Sequence, residues 1–245
     1  MRLQFVSDLH LNLRAKETFE TMLVPTAPAL ALLGDIAPVR DPNLRQFIEW
    51  CSQRWETVLY IPGNEELIHR DYSIDAALKI LNTICSRYSN VHVLYKDRFI
   101  SADGIIICGC TFWSCIPTAP KHHRDRHRTD LNWIAEQTKT SNKPMVVLTY
   151  YGPTMWVQNE LRVDRPESVL TVPELELLLK KPIITWIFGH VHTYIEYTKV
   201  WSGASGEKNT VLLLCNGLGE TVEDERPYDY RPDAVIALKP ELYKE

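Results

Sequence analysis

An aspartate and a histidine two residues apart, Asp8-Leu9-His10, close the apolar run at residues 3–6. Such a run reads as a short buried strand. In extended backbone, residues i and i+2 project to the same side. A carboxylate and an imidazole therefore leave the strand end together, a donor pair suited to a divalent ion. Alone, the pair fits a capped turn equally well. Four later segments carry comparable chemistry: Gly34-Asp35, Gly63-Asn64-Glu65-Glu66, Tyr150-Tyr151 and Gly189-His190-Val191-His192. Singly, Gly63-Asn64 is a turn, Gly34-Asp35 a strand terminus, and the two late histidines satisfied polar residues at a strand end. Jointly, they point to metal binding.

The elements that must position these groups follow from hydrophobic pattern. Residues 29–33, 58–61, 105–110, 144–149 and 183–188 are apolar runs of strand length, and residues 91–93 and 97–101 are shorter ones. Runs apolar on both faces belong to covered, parallel sheets. Helices are expected at 16–23, at 42–54 behind Asp41 as cap and Pro42 in the first turn, at 71–88, at 129–138 and at 173–180. Alternating strands and helices give a parallel sheet with right-handed crossovers. Ligands of such sheets sit beyond the carboxyl ends of the strands, where Asp8, Asp35 and Asn64 stand. The late strands 194–200, 210–215 and 234–238, with no helix between them, imply a second, partly antiparallel sheet packed on the first. The expected fold is α/β, a mixed two-sheet sandwich flanked by helices, in one domain over residues 1–245.

Composition narrows the function classes. With 27 Lys+Arg against 31 Asp+Glu, the net charge of −4 gives no global case for nucleic-acid or membrane binding. No apolar run is long enough to span a bilayer. A strand starting at residue 2 or 3 leaves no room for a signal peptide, so a cytoplasmic location is expected, with six reduced cysteines. Cys108 and Cys110 share one strand face, where buried packing outweighs a metal site.

The ordered blocks resemble the calcineurin-like metallophosphoesterases, across nearly the whole chain. Thr111-Phe112-Trp113 and Cys215-Asn216 resemble a compact branch of that family. The resemblance implies a two-metal site. Asp8, His10 and His192 would hold one ion, Asp35 would bridge, and Asn64 and His190 would hold the second. Such a site binds phosphate oxygens and makes a hydroxide near neutral pH that attacks phosphorus. Mixed imidazole, carboxylate and amide donors suit manganese, zinc or iron. The substrate would be a phosphomonoester or phosphodiester.

Two positions depart from the family pattern. Glu65 stands where the family has a histidine that faces substrate and protonates the leaving group, so it is a candidate catalytic residue beside Asn64. Tyr150 stands where the family has a histidine ligand of the second ion. A neutral phenol is a poor ligand for zinc or manganese, so the centre would be weakened or hold one ion rather than two. The basic stretch 121–128 is read as a loop, either a solvated charge run or a phosphate-binding flap. In the second case His122, His123 or His127 supplies a surrogate acid, and Arg124 joins Tyr150 and Tyr151 in binding substrate. The rival reading is a catalytically impaired relative kept as a binding or scaffolding protein.

Overall fold

All five side chains of Ala29–Leu33 are buried, as are those of Met145–Thr149 and all six of Ile183–Phe188. These strands lie inside two packed sheets. The structure is a computed structural model that describes residues 1–14, 18–115, 119–153, 178–202, 208–220 and 229–239. In chain order its elements are β1 (Arg2–Val6), a 3-10 turn (Leu11–Leu13), α1 (Phe19–Met22), β2 (Ala29–Leu33), α2 (Pro42–Ser52), β3 (Thr57–Ile61), α3 (Asn64–Leu67), α4 (Ile74–Cys85), β4 (Val91–Val93), β5 (Asp97–Ile100) and β6 (Ile106–Cys110). There follow α5 (Lys121–Thr140), β7 (Met145–Thr149), β8 (Ile183–Phe188), β9 (Tyr194–Ser202), β10 (Lys208–Asn216) and β11 (Val235–Ala237).

Among the described residues one sheet has the order β11-β1-β2-β3-β4 and the other β5-β6-β7-β8-β10-β9. The strands β1 to β4 run parallel, with β11 antiparallel at the edge. In the second sheet β6, β7, β8 and β10 are parallel, and β5 and β9 are antiparallel edges. Alternation along β7 divides the apolar side chains between two cores. Val146 and Leu148 face the first sheet, and Met145 and Val147 face outward into a cluster with Ile134 of α5. Leu44, Phe47 and Ile48 of α2 and Leu81 of α4 join the first core from its other side. Each fully buried side chain of this kind contributes roughly 1.5–3 kcal/mol. The expected α/β sandwich is therefore the fold.

Four expectations change. The strand near 234–238 joins the first sheet, pairing antiparallel with β1 through Arg2 and Ala237, and not the second. The stretch 121–128 is no loop but the opening of the twenty-residue helix α5. Its core-facing stripe is His127, Asp130 and Ile134, and two polar members hide the helical period from a hydrophobicity reading. Of the helix expected at 173–180, residues 173–177 lie outside the described residues and residues 178–180 are not helical. The helix expected at 71–88 is confined to Ile74–Cys85, with Ser73 accepting from the Ala76 N–H as its cap. Asp41 caps α2 as expected, accepting from the Asn43 N–H at 2.8 Å.

The six cysteines are unpaired by disulfides. Cys108 and Cys110 are buried in the outer core, and burial pushes the Cys108 thiol up to about 12. They pack as small apolar groups. No helix among the described residues is long and apolar enough to cross a membrane.

Candidate metal centre

The strand ends that carry the candidate residues meet at the seam between the sheets. Ser7, just past β1, bridges in parallel to Gly217, just past β10. Asn216 ties the same seam: its side-chain N–H donates to the Phe5 and Arg231 carbonyls at 3.0 and 2.8 Å. Past the seam the backbone leaves extended geometry. Asp8, His10, Asp35, His190 and His192 all have positive φ, between 45° and 69°. Left-handed backbone at a non-glycine residue costs on the order of 1–2 kcal/mol and collects at functional sites. The extended-strand argument for Asp8 and His10 therefore fails in detail. Their side chains converge through two successive left-handed kinks rather than through strand pleat.

The convergence is close. Ligand atoms of Asp8, His10 and His192 all lie within 4.8 Å of one another. The Nε2 atoms of His10 and His192 face each other at 3.4 Å, and His192 Nε2 is 3.5 Å from Asp8 Oδ1. Asp8 Oδ2 accepts from Ser7 Oγ–H and from the His190 N–H (2.9 Å). Burial pushes the Asp8 carboxyl up, but His192, His10 and Ser7 together outweigh it and hold it below the usual carboxylate value. For His10, burial pulls down, and Glu65 and Asp8 more than reverse it. Two imidazole nitrogens pointed at each other beside a carboxylate, that of His10 buried and that of His192 half-buried, fit a shared divalent ion better than a hydrogen bond between rings. Arg14 fixes the turn below, donating from Nε to the Leu9 carbonyl at 2.7 Å and from its guanidinium to that of Gly219.

The other half of the site is different. The Tyr150 hydroxyl is 2.5 Å from Asp35 Oδ2, 2.8 Å from His190 Nδ1 and 3.3 Å from Asp8 Oδ1. Its single proton goes to the nearest oxygen, on Asp35. Tyr151 hydroxyl donates to Asn64 Oδ1 at 3.0 Å. Tyr150 is fully buried and Tyr151 nearly so, at 0% and 7% exposure. Burial, then the Asp35 and Asp8 carboxylates, push the Tyr150 phenol well above its ordinary value, so it is a neutral hydroxyl. Its ring lies against Gly34, whose φ of +84° and missing Cβ make the approach possible.

Glu66, to which residue type and spacing assigned no role, holds the Asp35 turn. Its carboxylate accepts from the backbone N–H groups of Gly63 (2.8 Å), Asp35 (3.0 Å), Ile36 (2.7 Å) and Ala37 (3.4 Å) and from the Tyr60 hydroxyl (2.8 Å). Asp35 in turn accepts from the Glu65 N–H at 2.9 Å. Burial and the carboxylates of Glu66 and Asp8 push the Asp35 carboxyl well up. The signal for Glu66 was present: an acid three residues past Gly63 in the position of a capping box.

Glu65 turns toward the metal-capable triad, with Oε1 3.3 Å from His10 Nδ1. Among the described residues, neither His10 Nδ1 nor Glu65 Oε2 has a hydrogen-bond partner, though both are buried. Glu220, missed in the sequence, joins His10 and Glu65 in a second group with metal-ligand spacing. Arginine and histidines of the basic stretch stand farther off. The His123 ring packs on Trp113 at 4.8 Å and Trp113 on Tyr151 at 6.5 Å, so His123 reaches the site only through two intervening rings. His122 is exposed and packs edge-on against His123. Arg124 donates to the Ala119 carbonyl at the start of α5.

Comparison with known proteins adds to this geometry. Residues 1–194 match the family described as calcineurin-like phosphoesterase. An uncharacterised protein of Acanthamoeba polyphaga mimivirus is 25% identical over 240 residues, covering 82% of each chain. Among solved structures, phosphopantetheinyl hydrolase from Mycobacterium tuberculosis superposes with a TM-score of 0.59 at 17% identity, covering 89% of both chains. The protein TT1561 of Thermus thermophilus gives 0.54 at 16% identity, again over 89% of both. These likenesses bear on the fold.

Proposed function

The chain belongs to the calcineurin-like phosphoesterases, metal-dependent hydrolases of phosphoric esters, and on that premise we propose that it cleaves a phosphomonoester or phosphodiester at the Asp8–His10–His192 centre. The observation that carries the reading is the convergence of those three ligand groups within 4.8 Å. One carboxylate and two imidazoles make a donor set for manganese, zinc or iron. A divalent ion there supplies charge against the phosphoryl oxygens and lowers the pKa of a water near phosphorus.

The chain's own residues do the rest. Asp8, His10 and His192 would hold the ion. A proton on His10 Nδ1 would face Glu65 Oε1, 3.3 Å away, and would leave Nε2 of that ring its lone pair for the ion. This is the carboxylate–histidine arrangement common behind metal ligands. The Asn64 carbonyl oxygen is used by Tyr151, which leaves the Asn64 amide N–H groups as donors to a phosphoryl oxygen.

A second reading, a binding protein with little or no turnover, has one observation in its favour: tyrosine hydroxyls engage Asp35, His190 and Asn64. A single experiment separates the two. Metal-stripped protein is reloaded with Mn²⁺ and offered an aryl phosphodiester and an aryl phosphomonoester. We expect turnover of at least one, lost in Asp8→Asn together with metal binding. A folded, Mn²⁺-loaded chain that turns over neither ester, also with Zn²⁺ or Fe²⁺, leaves the binding reading in place.

A further inference from the structure

The three side chains that would hold a second ion are all engaged by adjacent tyrosines. Asp35 and His190 close on the Tyr150 oxygen at 2.5 and 2.8 Å, and Asn64 Oδ1 accepts from Tyr151 at 3.0 Å. Those first two distances are hydrogen-bond lengths, too short to leave an ion between the carboxylate and the imidazole. Tyr150 cannot easily vacate the place, because its ring is fully buried against Gly34 in the seam. The metal-capable groups among the described residues agree: they contain His10 twice, and neither includes Asp35 or His190.

We infer that the Tyr150 hydroxyl occupies the place of a second cation, so that the centre holds one divalent ion per chain and Tyr150 acts as a fixed neutral donor to Asp35. The inference rests on the reading of Asp8, His10 and His192 as the ion's ligands. Tyr150 is a positioning residue. Its proton satisfies the Asp35 carboxylate, which in a two-ion centre would be shared between cations, and its ring excludes water from the seam.

The test is metal stoichiometry on the full-length chain, by calorimetric titration of stripped protein with Mn²⁺ and by elemental analysis after gel filtration. The wild type should bind one Mn²⁺ and show the electron paramagnetic resonance spectrum of an isolated ion. Tyr150→His exchanges a neutral donor for an imidazole ligand, and it should bind two, with spectral coupling between them. Two ions in the wild type would overturn the inference and leave the hydrolase reading standing. No ion in the folded wild type would overturn the hydrolase reading itself, and the inference with it. Should Tyr150→His fail to fold, the wild-type spectrum decides: an exchange-coupled pair refutes a one-ion centre, and an isolated ion supports it. One ion in a folded Tyr150→His would show that Tyr150 is not what excludes the second.

Discussion

The two halves of the candidate centre use the same kinds of residue and end in opposite states. In the first, Asp8, His10 and His192 bring three ligand atoms together, with the two ring nitrogens 3.4 Å apart and His192 Nε2 3.5 Å from Asp8 Oδ1. In the second, Asp35, His190 and Asn64 each have a tyrosine oxygen at hydrogen-bond distance. On the reading proposed above, the first half would take a cation, while in the second the tyrosine oxygens already contact the groups that would hold one. A buried polar group left unpaired costs about 1–3 kcal/mol, so a hydroxyl that reaches such groups at hydrogen-bond distance competes directly with an ion for them. If Tyr150 holds the second place, one side chain on an otherwise similar frame of strand ends sets how many cations the frame accommodates.

The comparison can be broken most forcefully at Glu66. This buried carboxylate holds the Asp35 turn, and Glu66→Ala strands the N–H groups of Gly63, Asp35 and Ile36 and the Tyr60 hydroxyl. We expect a loss of roughly 4 kcal/mol or more in urea unfolding, with the tyrosine-filled half disordered first. A loss below about 1 kcal/mol would mean that the turn is held by other contacts.

Asp130 tests the wall behind that half. It is fully buried and accepts from the Phe112 N–H at 2.9 Å, close to Lys96 at 3.4 Å and to the Cys110 thiol. The Thr111 carbonyl in turn accepts from the Tyr151 N–H at 3.1 Å. Burial raises Asp130 to about 6, against the partly opposing pull of Lys96 and the Phe112 N–H. A carboxyl raised on folding contributes stability that is fully present below its unfolded value. That contribution is lost as pH rises through the folded one. Between about pH 4 and pH 6 the wild type should therefore lose about 3 kcal/mol relative to Asp130→Asn, read from urea midpoints at several pH values. A constant difference between the two proteins would show that Asp130 ionises on folding as it does in the open chain.

Glu65 sharpens the first half. If it orients His10, Glu65→Ala should weaken Mn²⁺ binding by about 10- to 100-fold, and Glu65→Gln, which keeps an acceptor, should recover most of that. A fall in kcat with unchanged Mn²⁺ affinity would instead return Glu65 to the leaving-group role that its place in the family pattern implies.

Much of this molecule could be read from the chain alone because the relevant signals are local. Fully apolar runs such as residues 29–33 and 145–148 mark covered strands, and the polar residue just past each run marks a rim. Asp8, Asp35, Asn64, His190 and His192 were found in that way, and they do gather at one seam. The helix at 121–140 was half missed because its buried stripe contains His127 and Asp130, whose inward turn depends on partners elsewhere, Trp113 and Lys96. The strand near 235 was assigned to the wrong sheet because nothing in Val235–Ala237 itself states that its partner is β1.

What sequence determined is the chemical inventory and its order along the chain: two aspartates, imidazoles, an amide and two tyrosines, each just past an apolar run. Tertiary structure decided which atom stands between which. The shifted register of β7 on β8 sets the Tyr150 carbonyl on the Gly189 N–H at 3.0 Å, and so the phenol beside His190. Packing of the two sheets then brings Asp35 across to it. Residue type and periodicity are properties of a few neighbouring positions. The place of one oxygen between two side chains from other strands depends on register, sheet separation and backbone kinks, and those are fixed only when the whole core has packed.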